Sequence, residues 1–295
     1  MTVLATELAP AKINLCLYLG PTRPDGRHEL VTVFDSLSFG DQLTVSASAA
    51  GQGDEVVCVE VPGPNLVSAA LHALRAAGWS APPVRVEITK RIPIAAGMGG
   101  GSADAAAMLR LAPRLAAVGN GVLAEIATAL GADVPGQLRP GISLATGAGE
   151  VLEPLTALDP YGVLVLPQPF PLSTADVYRE ADHLGLGRPA AELHELRATV
   201  RASAHGALPA SLAVNDLQDA ALSLAPRIAD ALAAAQGAGA DRAMVCGSGP
   251  TVIGLFTGSD GPARAQRAVA VVAGAYPEAR AVTQMAAGAG APAAN

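Results

Sequence analysis

Aromatic side chains are scarce in this chain: only 3% of its 295 residues are Phe, Trp or Tyr. Hydrophobic residues still make up 51%, so a core can form, but Ala, Leu, Val and Ile must build it. Cysteine is scarce as well. Cys16, Cys58 and Cys246 are far apart, odd in number and lack a C-x-x-C pair, which suggests neither a disulfide framework nor a zinc site. A reduced, cytoplasmic setting is the expectation. Basic residues are in the minority, 19 Lys and Arg against 26 Asp and Glu, a net charge of −7. No basic stripe is available for nucleic acid, although a few local cations suffice for a nucleotide's phosphates. No apolar run approaches the length of a membrane span. The opening MTVLATELAP lacks the basic region and apolar stretch of a signal peptide. Neither a membrane nor a nucleic-acid partner is therefore expected.

What is present is patterned. Residues 11–19, AKINLCLYL, alternate, with Ile13, Leu15, Leu17 and Leu19 on one face and Lys12, Asn14, Cys16 and Tyr18 on the other. That predicts a strand with one buried and one polar side. Asp25-Gly26 supplies a tight turn. LVTVFDSLSF, a break at Gly40-Asp41, QLTVSAS and VVCVEV read as further strands of an antiparallel run. Asn65 is placed to cap a helix carrying Leu66, Val67, Ala70, Leu71 and Leu74, with Gly78 at its end. In VRVEITKRIP, Val84, Val86 and Ile88 point inward. Helices are expected from about Ser102, from Val122 to Leu130, at about 173–184, 190–203 and 212–236, and from about Pro262. GISLATGAGEVLEPL reads as a hairpin, YGVLVLPQPF as a strand, RAMVCGSGPTVIGLF as strand–turn–strand and ARAVTQM as a last strand. The patterning breaks near Pro154–Pro160. The expectation is an α+β chain in two parts, 1–155 and 156–285, with a fraying, disordered tail at 286–295.

One stretch stands apart. PIAAGMGGGSADAAAMLRL, residues 93–111, packs four glycines into five positions directly ahead of a helical pattern. A P-loop would need Lys before Ser102, and none is there. The dinucleotide fingerprint fails too, because its third glycine position falls on Ser102 and no βαβ unit surrounds it. The physics of an anion site remains. A helix N-terminus leaves backbone amides unpaired and carries partial positive charge, and glycines admit a phosphate to the backbone. A plain glycine turn fits equally well at this point. Ser102 is placed to cap the helix or to offer its hydroxyl to magnesium. Asp133, in GADVP, is by default a turn residue, and CGSGPT at 246–251 is a second Gly/Ser turn between apolar strands. Each of these is weak alone.

Their order along the chain is the strong signal. PAKINL near the N-terminus, PIAAGMGGGSADAA further on and GSGPT near the C-terminus resemble the GHMP family of small-molecule kinases. AKINL with DGRHEL, and GADVP, are similar to the branch of that family whose substrate carries a cytidyl group. The resemblance covers nearly the whole chain and is densest before residue 155. It implies a two-domain α+β fold, with a ribosomal-protein-like ATP-binding and catalytic domain followed by a ferredoxin-like substrate domain. It also implies ATP and Mg2+ as cofactors, a small cytidyl substrate phosphorylated on an alcohol, and a monomer or homodimer.

Residue by residue, the resemblance lays ATP's phosphates on Pro93, Ile94, Ala95, Ala96, Gly97, Met98, Gly99, Gly100, Gly101, Ser102 and Ala103, with Ser102 also toward Mg2+. It makes Lys12 and Asp133 the catalytic pair and sets Asn65 and Lys90 on the nucleoside of ATP. Asn14, Arg27, His28, Thr174 and Tyr178 match substrate positions, His28 toward the cytosine and Tyr178 stacked on it. Four positions depart from the family's habit. Arg27 stands where Tyr is usual, Ala95 and Ala96 where glycine is frequent, Asp104 where Asn is common, and Cys246 in place of a small residue. The Arg27 guanidinium is expected to stack on the cytosine opposite Tyr178. Two alternatives stay open, a family member acting on homoserine or mevalonate and a catalytically inactive nucleotide-binding module. DGRHEL and Tyr178 speak against the first, since those substrates have no base; intact Lys12, Asp133 and glycine loop speak against the second. His72, His183, His194 and His205 show no metal-ligand spacing and read as structural or solvated.

Overall fold

A long antiparallel pair organises the first half of the chain. In the computed structural model, which describes residues 2–285 apart from 157, 205, 207 and 208, β1 (Val3–Thr22) runs along β2 (His28–Ala47). The turn between them places Gly26 at a left-handed φ of 80°. The other edge of β2 is shared. Its residues 42–47 pair with β4 (Val84–Thr89), and residues 32–34 with β5 (Ser143–Thr146). β3 (Glu55–Val57) extends the sheet beside β4, and β6 (Val151–Pro154) beside β5. Helices α1 (Leu66–Ala76), α2 (Gly100–Leu115), α3 (Asn120–Leu130) and α4 (Val134–Leu138) pack with this sheet or with one another. The second half builds a four-stranded antiparallel sheet, ordered β10-β7-β9-β8, from β7 (Tyr161–Leu166), β8 (Arg242–Val245), β9 (Val252–Thr257) and β10 (Arg280–Thr283). Its helices are α5 (Thr174–Leu184), α6 (Ala190–Ser203), α7 (Gln218–Leu224), α8 (Ile228–Gly237) and α9 (Gly261–Val272).

Local chemistry accounts for the elements that the pattern predicted. Asn65 caps α1 by accepting from the amides of Val67 and Ser68, and Val67, Ala70, Leu71 and Leu74 are buried. Val84, Val86 and Ile88 bury one face of β4. α3 stops at Gly131, whose φ of 155° no side-chain-bearing residue adopts readily. Both hairpins form, β5 with β6 and β8 with β9.

Other expectations are corrected. The polar face of residues 11–19 is not solvated: Lys12, Asn14, Cys16 and Tyr18 are all buried, because the second half of the chain covers them. The Tyr18 hydroxyl donates to the Leu212 carbonyl, and the Leu17 amide donates to Val214 O at 2.7 Å. Gly40-Asp41 is no turn, and β2 runs straight through it. A Cβ on Gly40 would lie 2.2 Å from the Ala9 carbonyl oxygen, so glycine marks a close approach of two strands there. β3 lies parallel to β4, outside any antiparallel run. α2 begins at Gly100, ahead of Ser102. The helix expected over 212–236 is broken into α7 and α8 around Pro226, which has no amide to donate and disfavours helix in the residue before it. α4 was not anticipated. The expected tail at 286–295 and His205 lie outside the described residues.

The two sheets meet on a buried polar contact. Tyr161 of β7 donates its hydroxyl hydrogen bond to Asp35 Oδ2 of β2 at 2.5 Å, and Asp35 is 4% exposed. Burial pushes the Asp35 carboxyl up to about 6, against the hydrogen bonds from Tyr161 and the Ser36 backbone. An unfolded aspartate titrates near ~3.9. Between about pH 4 and 6 the folded chain therefore holds the extra proton, and this group's contribution to stability falls as pH rises through that window. The difference between those two values corresponds to about 3 kcal/mol. Asp35→Asn keeps an acceptor for Tyr161 without the charge. In denaturant unfolding the variant should gain on the wild type by about that amount between about pH 4 and pH 7. A constant difference across that range would sink the assignment.

Candidate active site

The bulk of β1 is locked to β2, but the ladder slips between Pro10 and Lys12. There the Lys12 amide turns to the Met98 carbonyl, 3.0 Å away, and ties β1 to the glycine-rich stretch. Slips of this kind re-aim side chains beside functional sites. From the other side, CGSGPT closes on the same loop: a Cβ on Gly97 would stand 2.3 Å from the Cys246 carbonyl oxygen. Gly97 and Gly99 have left-handed φ of 74° and 70°. Ala95 shares this geometry at 53°, an uncommon backbone for a residue with a Cβ.

Gly99, not Ser102, occupies the cap position of α2. Ser102 sits inside the first turn, so its expected capping role is corrected. No side chain caps this helix and no acidic residue lies in its first turn. The amides at the start of a sixteen-residue helix are thus left for a ligand.

Lys12 lies beside that helix start, its Cγ 3.0 Å from where a Cβ on Gly99 would stand. Its Nζ donates to Asn14 Oδ1 at 2.8 Å, Asn14 Nδ2 donates to Thr32 Oγ1 at 2.8 Å, and Thr32 Oγ1 donates to the Cys16 carbonyl. This chain of bonds fixes the ammonium without neutralising it. Asp133 Oδ2 stands 3.7 Å from Lys12 Nζ. Asp133 precedes α4 at its cap position, yet its carboxylate makes no capping bond. It is not spent on structure, and its side chain is 43% exposed.

Asn65 and Lys90 both line the cavity beside the start of α2. The Lys90 ammonium is gripped by Asp41 Oδ2 and by Asp104 Oδ2, the latter at 2.7 Å. Asp41 also accepts from the amides of Arg91 and Ile92. Asp104 Oδ1 is buried with no partner among the described residues, and burial pushes this carboxyl up against the pull of Lys90. The His28 ring lies 5.3 Å from the Tyr178 ring, tilted by 35°, and both line the same cavity. His28 Nε2 is 2.7 Å from Asp182 Oδ1. Burial, reinforced by the Asp133 carboxylate, pushes the Tyr178 phenol up, so it stays neutral. The hydroxyls of Thr174 and Ser248 share a hydrogen bond of 2.9 Å. Arg27 lines this cavity with its guanidinium turned to Asp25 Oδ2, which accepts from Nε and from Nη2. The ring beside Tyr178 is therefore His28, and Arg27 is occupied elsewhere.

Lys12, Asn14, Lys90, Asp133, His28 and Tyr178 line one cavity of about 900 Å3. Every site residue expected from the sequence faces it except Ala103, whose side chain is buried in α2. Sequence reasoning missed Thr32, Asp182, Gly247 and Ser248. Asp182 was within reach of it, because it follows Tyr178 by one helical turn. A second overlooked signal is compositional. The chain has only two lysines, Lys12 and Lys90, and both line the cavity. Among the described residues no three His, Cys, Asp or Glu side chains gather to hold a metal ion. The donors present, the Ser102 hydroxyl and the Asp133 carboxylate, instead suit a magnesium ion carried largely by phosphates. His72, His183 and His194 are exposed. No helix of the described residues is long and apolar enough to cross a membrane.

An uncapped glycine-rich helix start, a fixed lysine and an aspartate beside it share one cavity, and the chain belongs to the GHMP kinases. Residues 65–141 match the GHMP kinases N terminal domain and residues 181–277 the GHMP kinases C terminal domain. Its similarity is to one member in particular, 4-diphosphocytidyl-2-C-methyl-D-erythritol kinase. The Streptomyces coelicolor protein of that name is 42% identical over 262 residues, covering 85% of this chain and 87% of that one. The Rhodococcus jostii protein of that name is 37% identical, over 95% of this chain and 96% of that one. A crystal structure of 4-(cytidine 5'-diphospho)-2C-methyl-D-erythritol kinase superposes with a TM-score of 0.75 and 33% identity, over 95% and 99% of the two chains. The chain is thus an ATP-using small-molecule kinase with the two-domain α+β fold of its family.

Proposed function

We propose that the chain transfers the γ-phosphoryl group of ATP to the 2-hydroxyl of 4-(cytidine 5'-diphospho)-2-C-methyl-D-erythritol, a step of non-mevalonate isoprenoid precursor synthesis. The observation that carries this reading is one cavity lined both by the glycine-rich start of α2 and by the paired rings of His28 and Tyr178. Homoserine and mevalonate have no base for such a pair to bind. Residues 1–155 are read as the ATP-binding and catalytic domain and 156–285 as the substrate domain. The separation of the two sheets near residue 155 supports that division.

Phosphoryl transfer needs mainly positioning and charge stabilisation, because its transition state is loose. The amides at the start of α2 hold ATP's phosphates, while Asn65 and Lys90 border the nucleoside. Asp133 takes the proton of the substrate hydroxyl as its oxygen attacks the γ-phosphorus. The bond from that phosphorus to the β,γ-bridging oxygen breaks, and ADP leaves. Lys12 balances the negative charge that builds between the two. Ser102 would hold Mg2+, which would supply further neutralisation of the phosphates. Asn14 and Thr174 line the substrate's path.

ADP release measured over a panel of acceptors tests the reading. The cytidyl substrate should support turnover, and homoserine and mevalonate should not. Turnover with either of those, or with none of the three, would overturn it.

A further inference from the structure

We infer that Asp182 is a positioning residue that selects cytosine over uracil by fixing the tautomer of His28; the inference rests on the cytidyl reading of the cavity proposed above. Three observations carry it. First, the Asp182 carboxylate can only accept, so the hydrogen bond of 2.7 Å places a proton on His28 Nε2. The Thr22 hydroxyl, 3.3 Å from the same nitrogen, can accept alongside it. Second, His28 Nδ1 has no hydrogen-bond partner among the described residues, and it is not among the polar atoms sealed from solvent. His28 lines the cavity, so Nδ1 is the ring nitrogen left to meet a ligand there. Third, Tyr178 holds the plane of the imidazole at 5.3 Å, and Tyr178 and Asp182 lie one turn apart on α5. One helix thus sets both the tilt of the ring and the site of its proton.

The chemical consequence follows from the two ring nitrogens. In neutral imidazole one nitrogen donates and the other accepts. With the proton held on Nε2, Nδ1 presents a bare lone pair to the ligand. Cytosine carries an exocyclic amine, a donor, where uracil carries a carbonyl oxygen, an acceptor. The fixed tautomer pairs with the first and repels the second. Asp182 need not touch the base, since it acts through His28.

Asp182→Asn tests this with little risk to the fold, because the side chain is 54% exposed. An asparagine amide can donate as well as accept, so either tautomer becomes available to His28. Titration calorimetry on the full chain would compare CDP with UDP. The wild type should prefer CDP. In Asp182→Asn the Kd for CDP should rise about tenfold with that for UDP no weaker, so the preference collapses. Asp182→Glu should restore part of it. Equal weakening of both ligands would mean a merely structural contact and overturn the inference. So would an unchanged preference, which leaves the cytidyl reading itself standing. A wild type that binds CDP no better than UDP would overturn both.

Discussion

Asp133→Asn should lower turnover by on the order of a hundred- to ten-thousand-fold while ATP affinity and thermal stability stay close to wild type. The expectation comes from what Asp133 does not do. It sits where a helix cap belongs but makes no capping bond, and among the described residues its only charged partner is Lys12 at 3.7 Å. Removing the charge therefore costs the fold little. The amide variant keeps the shape but cannot take a proton from the attacking hydroxyl. Lys12→Ala should lose turnover too, with some stability lost as well, because Lys12 is buried and bonded to Asn14. Two groups serving one step are not expected to add, so the double variant should be little worse than the poorer single one. Steady-state turnover beside ATP titration separates these effects. Near-normal turnover in Asp133→Asn would refute its role as base.

Gly99→Val should abolish tight nucleotide binding and reduce turnover by about a hundredfold or more. Two costs combine. The residue has a left-handed φ of 70°, where a β-branched side chain is strained by on the order of 1–3 kcal/mol. Its new Cβ would lie 3.0 Å from Lys12 Cγ and 3.3 Å from Cε, so the branch pushes the ammonium off its seat. The damage reaches the chemical step as well as the phosphates. ATP titration and turnover on a variant shown to be folded decide the matter. Unchanged affinity would mean that the phosphates lie elsewhere.

Much of this was readable from the residues. Asn65 with the apolar spacing after it fixed α1, and the alternation of Val84, Val86 and Ile88 fixed β4. Local patterns of this kind carry their own physics. What escaped depended on partners far away in sequence. Alternation in AKINLCLYL reads as one wet face, and only the covering segment near Leu212 and Val214 turns that face into an interior. Gly40-Asp41 has turn chemistry, yet its glycine serves the approach of Ala9, and its aspartate binds Lys90 and the amides of residues 91 and 92. For the site, motif order pointed to Lys12, Asp133 and the glycine loop, and the structure brings them to one cavity. Motif order gave no hint that Lys90 is held by two carboxylates, or that Arg27 is held by Asp25.

The pair of lysines has a practical reach. Amine-directed reagents, whether acylating agents, aldehydes or activated resins, normally scatter over a protein surface. Here, apart from the α-amino group, they find only Lys12 and Lys90, whose side chains are 8% and 9% exposed on the cavity wall. Bound nucleotide would shield both, which makes slow acylation a footprint of occupancy. The same scarcity makes amine coupling a poor way to fix this enzyme to a support, since every lysine bond formed would block its own chemistry.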